Sequence, residues 1–204
     1  MSNISAHAEH YDAQASKFGM WLFLFTEFLL FGGLFIVYST YRYLYGDAFH
    51  LAARELDLTM GTINTLVLLI SSTTVSMAIT SLQRGNSVLA SRLIIATIVL
   101  GIVFLINKFL EWNVKFEHGL YPGSERLANF GFGDTLFFGL YFAMTGLHAL
   151  HMIIGVVLWS VAYAFVKKGR TNQHRPVMVE NCGLYWHLID VIWIFLFALF
   201  YLIA

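Results

Sequence analysis

Five apolar runs, each about long enough to cross a bilayer, constrain this chain more than any other feature. They cover residues 18–43, 60–82, 93–112, 135–166 and 183–204. A hydrocarbon core about 30 Å thick asks for roughly 20 apolar residues in a helix rising 1.5 Å per residue. Within hydrocarbon each segment has to satisfy its own backbone N–H and C=O groups, so such runs predict helices. The expected fold is an all-α integral membrane protein, a bundle of five transmembrane helices. A polar tail over residues 1–17 precedes a single membrane domain over residues 18–204.

Composition agrees. Hydrophobic residues make up 58% of the 204-residue chain, above the roughly 45–50% of soluble domains. Basic and acidic residues balance at 12 each, and no basic patch suggests nucleic acid as a partner. Cys182 is the only cysteine, which excludes an intramolecular disulfide, a cysteine-based zinc site and an iron–sulfur cluster. Residues 1–16 lack a basic stretch ahead of an apolar one, so no cleavable signal peptide is expected; His7 and His10 read as part of a solvated tail.

Orientation follows from the basic residues. Lys17, Arg84, Arg92, Lys167, Lys168, Arg170 and Arg175 fall on one side, against Arg42, Arg54, Lys108, Lys115 and Arg126 on the other. The excess predicts a cytoplasmic N-terminus and an outward C-terminus.

The polar residues inside the runs are the candidate functional positions. In the last run, Tyr185-Trp186-His187-Leu188-Ile189-Asp190-Val191-Ile192-Trp193, an imidazole and a carboxyl stand three residues apart on one helical face, with Trp186 and Trp193 on or beside it. An acid at mid-membrane costs about 2.5–3.5 kcal/mol on insertion scales, so it faces protein or a wet cavity. It either locks the helix to its neighbours or serves proton movement or lipid-headgroup binding. Glu27 lies about 14 Å into the first run by helical rise. It reads as a carboxyl hydrogen-bonded to another helix, or as a proton-exchanging, reagent-reactive group. His148 and His151, at i and i+3, could ligate a metal only with His187, Glu27 or Asp190 as further ligands. The other reading is neutral imidazoles donating to neighbouring helices.

Four further features bear on packing and connection. Ser71-Ser72-Thr73-Thr74 with Ser76 suits a helix–helix contact, and Gly32-Gly33 suggests a close helix approach. Lys108, Glu111 and Lys115, near the end of the third run, read as an interfacial ion-pair ladder and not a buried site. The connection over residues 113–134 holds the turn signal Tyr121-Pro122-Gly123.

Taken together, Thr145-Gly146-x-His148-x-x-His151-x-x-x-Gly155 and Tyr185-Trp186-His187-x-x-Asp190-x-x-Trp193 resemble the two signature stretches of subunit III of haem–copper oxygen reductases. Thr26-Glu27-Phe28 with Phe31-Gly32 resembles that family's membrane-embedded, carbodiimide-reactive carboxyl. Residues 64–72 and Glu180 ahead of the last helix fit as well. The resemblance spans residues 18 to 204 and corresponds to the short, five-helix bacterial form, without the first two helices of the longest members. It implies a non-catalytic accessory subunit of a respiratory terminal oxidase, in a bacterial cell membrane. Such a subunit carries no cofactor of its own and binds structural phospholipids. Haem and copper are expected on the partner, catalytic subunit I, accompanied by subunit II and small subunits. The implied role is to stabilise the catalytic subunit and support proton uptake. From the residues themselves, Glu180, His187 and Asp190, together with His7, His10 and His174, are expected to buffer protons near the cytoplasmic face. The alternatives are a subunit of a nitric-oxide-reductase-type complex, a redox protein holding haem or copper through His148, His151 and His187, and a proton-coupled transporter using Glu27 and Asp190. The absence of an inverted repeat and of a Pro-broken helix pair counts against the transporter.

Overall fold

The structure, a computed structural model, describes residues 13–173 and 175–202. Its elements are α1 (Ala13–Leu44), α2 (Gly46–Ala53), α3 (Leu58–Gln83), α4 (Ser87–Glu117), α5 (Glu125–Ala128), α6 (Phe132–Lys167) and α7 (Val177–Tyr201). Among the described residues every regular element is a helix, and α1, α3, α4, α6 and α7 are long and apolar enough to cross a membrane.

Local chemistry sets the helix ends. Asp57 Oδ1 accepts from Thr59 N at 2.8 Å and Met60 N at 3.1 Å, satisfying amides that the first turn of α3 leaves open. Asn86 Oδ1 does the same for Leu89 N at the start of α4. Between them, Gly85 stops α3 with a φ of 79°. Asn86 N bonds back to Ser81 O and Gly85 N to Leu82 O, the paired closure that favours glycine just beyond a helix.

Four helices make the core. α3 packs on α4, α4 on α6, α6 on α7 and α7 on α3, which closes a ring. α1 stands outside it, resting mainly on α7, with lesser contacts to α6 and α2. Burial follows this order: half of the apolar window of α7 is inside the protein, against 11% for α1. A helix that is apolar all round and half enclosed belongs at the centre, while α1 turns most of its surface outward, including Trp21, Phe25 and Phe28.

Candidate functional site

α7 earns its central place through its aromatic side chains. Trp186 is 0% exposed. Its Nε1–H donates to Ser71 Oγ on α3 at 3.0 Å. Its ring lies against Gly101 of α4 and Gly155 of α6, where an added Cβ would come within 2.7 Å and 3.0 Å of ring atoms. The indole therefore joins α3, α4 and α6 around α7. About two helical turns further on, Trp193 Nε1–H donates to Thr65 Oγ1 at 3.0 Å, and its ring packs edge-on against Phe104. The Ser/Thr cluster lies at these contacts: Ser71 serves Trp186, Ser72 pairs with His187, and Thr74 meets Thr97 of α4 at 2.8 Å. Gly32 and Gly33 do not mark a close approach, for nothing lies within 4 Å of a Cβ placed at either. They fall on the outer helix, and glycines that admit a neighbour sit instead on the ring helices.

The three membrane histidines go to three places. His148 Nε2–H donates to Ile189 O of α7 at 3.2 Å, and its ring is boxed by Phe104 and Trp193. His187 pairs through Nδ1 with Ser72 at 2.8 Å, with Ser76 at 3.4 Å from Nε2. His151 meets Glu27 of α1, Nε2 to Oε2 at 2.9 Å. Among the described residues no group of three or more His, Cys, Asp or Glu is placed to hold a metal ion.

The Glu27–His151 contact needs a hydrogen to bridge it. His151 Nδ1 lies 2.8 Å from Leu147 O, and a carbonyl can only accept, so Nδ1 carries hydrogen. The contact at Nε2 then needs one more proton, on the carboxyl or on the imidazole. Either way, one hydrogen lies between Glu27 Oε2 and His151 Nε2. Phe31 packs edge-on against His151, and Tyr185 Oη donates to His151 O at 3.2 Å.

Asp190 is 5% exposed. Ser72 on α3 is its hydroxyl neighbour, but neither carboxyl oxygen has a protein hydrogen bond of good geometry. Among the described residues the hydrogen bonds between α6 and α7 run from His148 to Ile189 O, from Tyr185 to His151 O, from Cys182 Sγ to Leu158 O and between the Tyr141 and Tyr201 hydroxyls, and Asp190 takes part in none of them. Glu180, at the start of α7, accepts from Lys17 at 2.7 Å and from Gln83 at 2.8 Å, tying α1, α3 and α7 at that end. His7, His10 and His174 lie outside the described residues.

Lys108, Glu111 and Lys115 belong to a buried polar assembly, where the sequence predicts an interfacial ladder. Lys108 and Glu111 are 1% and 3% exposed and Lys115 is buried too, so they form no surface ladder. Lys108 Nζ donates to Glu111 Oε2 at 3.1 Å, Tyr141 Oη at 2.9 Å and Tyr201 Oη at 2.7 Å. Both phenols donate in turn to Glu111 Oε1, Tyr141 at 2.8 Å and Tyr201 at 2.5 Å. All three ammonium donors and both hydroxyl protons are used, the condition under which a buried ion pair is tolerated. Lys115 bonds Glu55 O in the connection after α2. A lysine and a glutamate three apart near the end of an apolar run signal equally well an interface or a buried pair. The phenols that decide between them come from α6 and α7.

Comparison with known proteins bears on all of this. A family model described as cytochrome c oxidase subunit III matches residues 2–204. Cytochrome c oxidase subunit 3 of Thermostichus vulcanus is 30% identical, over 96% of this chain and 90% of its own. A "probable quinol oxidase subunit 3" of Staphylococcus epidermidis is also 30% identical, over 95% of this chain and 92% of its own. A haem–copper oxidase subunit I+III of Aeropyrum pernix is 27% identical over 98% of this chain, which spans 24% of that longer protein.

Proposed function

Because this chain belongs to the cytochrome c oxidase subunit III family, we propose that it is a non-catalytic accessory subunit of a respiratory haem–copper oxidase, docked beside catalytic subunit I. The match across residues 2–204 carries this reading. The Aeropyrum pernix protein, described as subunit I+III in one chain, supports adjacency to subunit I. In this reading the haems and copper belong to the partner, subunit II completes the complex, and this chain supplies stability, lipid contacts and proton handling. In this reading the other subunits set the electron donor, in keeping with relatives named for cytochrome c and for quinol that match at the same identity.

The Lys and Arg distribution supports a cytoplasmic N-terminus and an outward C-terminus in a bacterial inner membrane. Glu180 and Lys17 then lie at the cytoplasmic face, the Glu27–His151 pair at mid-depth, and the Lys108 network toward the outside. The proton shared by Glu27 and His151 makes that pair the best candidate for proton exchange within this subunit. Trp186, Trp193, His148 and His187 serve chiefly to fix α7 against its neighbours.

A tag on this chain tests the reading. Mild solubilisation of native membranes is expected to bring down a haem-containing catalytic subunit in equal amount, together with oxygen-reducing activity. Recovery of this chain alone from membranes that respire normally through a tag-free oxidase would refute it.

A further inference from the structure

At the end of the bundle where α3 and α6 finish and α4 and α7 begin, Glu180 is the one carboxylate among the described residues, and Lys17 already holds it at 2.7 Å. Arg84, Arg92, Lys167, Lys168 and Arg170 share that end. The opposite end carries Asp47, Glu55, Asp57, Glu117, Glu125 and Asp134. One end is therefore strongly cationic and attracts anions from the adjoining leaflet.

A groove of about 310 Å³ runs between α4 and α6 at this cationic end. Arg92 and Ser91 of α4 and Lys167 of α6 line its polar part. Val88 and Ile95 of α4 form an apolar wall, and both are exposed. The Lys167 ammonium stands 5.8 Å from the centre of the Tyr163 ring, which also lines the groove. Two cations beside an apolar wall at the end of a membrane helix pair match a ligand with a phosphate at one end and acyl chains at the other.

We propose that this α4–α6 groove binds an anionic glycerophospholipid. Arg92 and Lys167 pair with the phosphate oxygens, and the acyl chains lie along Val88 and Ile95. The wall of exposed apolar side chains favours a lipid over free phosphate. α1 contributes nothing to the groove, so the site is separate from any lipid cleft beside the first helix. The proposal rests on the membrane-spanning arrangement and not on the oxidase role, and it stands or falls on lipid binding alone.

The test uses the full chain, purified with whatever subunits accompany it, and titrated with short-chain phosphatidylglycerol or phosphatidylcholine while native mass spectrometry counts bound lipid. Phosphatidylglycerol is expected to bind more tightly. Arg92→Gln and Lys167→Gln should each weaken it about fivefold, the effect of one cation near a membrane surface. Lys168→Gln removes the same charge from the same end outside the groove, and should leave binding within about twofold of the starting protein. Inorganic phosphate at equal concentration should not displace the lipid. Equal binding of the two lipids, equal losses in Lys168→Gln and Arg92→Gln, no loss in either groove variant, or displacement by phosphate would each overturn the proposal.

Discussion

At the scale of single residues, the account turns on which buried polar groups are satisfied. Removing Lys108 strands the Glu111 carboxylate among two phenols in a protein interior. Lys108→Met is expected to destabilise the chain by about 3–5 kcal/mol, read as a lowered midpoint of unfolding in detergent. Glu111→Leu in the same chain should restore much of that loss, since apolar replacement of a whole buried pair is often close to neutral. If the double variant is no more stable than the single one, the four-residue network is not the source of the stability. Glu27→Gln makes a different prediction. A glutamine amide can donate to His151 Nε2, so the contact survives and the stability change should stay within about 1 kcal/mol. The shared proton is gone, however, and the carboxyl infrared band assigned to this pair should vanish. A band that persists would place that proton elsewhere. Glu27, His148 and His151 stood out in the sequence because polar residues are rare in apolar runs. The partner of each was not legible, because it comes from another helix: His151 answers Glu27 from 124 positions away.

Helices introduce a second kind of legibility. The five apolar runs name the five long helices, since length and apolarity are local properties. Register is not local. Of the glycines, Gly32-Gly33 look alike on paper to Gly101 and Gly155, yet only the latter two meet the Trp186 ring. Gly101→Ala and Gly155→Ala are each expected to cost about 1–3 kcal/mol by forcing that ring aside. Gly33→Ala should be neutral or stabilising by up to about 1 kcal/mol, as alanine is the better helix former. Unfolding midpoints of the three variants check this, and equal effects would mean that Trp186 does not sit between α4 and α6. The short helices α2 and α5, of eight and four residues, lie in connections too short to show an apolar run of membrane length. Phe49 of α2 is buried and packs edge-on against Phe137 of α6, so tertiary contact, more than its own pattern, holds it.

For the molecule as a whole, the charge asymmetry between the two ends predicts how it lies in the membrane. In a Cys182→Ser background, Lys168→Cys should react with an impermeant thiol reagent only after the cytoplasmic face is opened. Glu125→Cys should react in intact cells. The reverse pattern would invert the orientation. Architecture and family were readable from one sequence because apolar length and the two histidine- and tryptophan-bearing stretches are written in consecutive residues. What the polar positions do was less readable, because function here is assembled from α1, α3, α4, α6 and α7 and, in the proposed complex, from another subunit. The central claim is that this chain helps an oxygen-reducing neighbour without itself carrying electrons. The most direct measurement is to purify the complex through this chain, dissociate it gently, and assay iron, copper and the haem spectrum of each separated polypeptide. The account predicts that stoichiometric haem and copper stay with the large catalytic subunit. Stoichiometric haem or copper retained by this chain, and lost when His148, His151 or His187 is replaced, would contradict it.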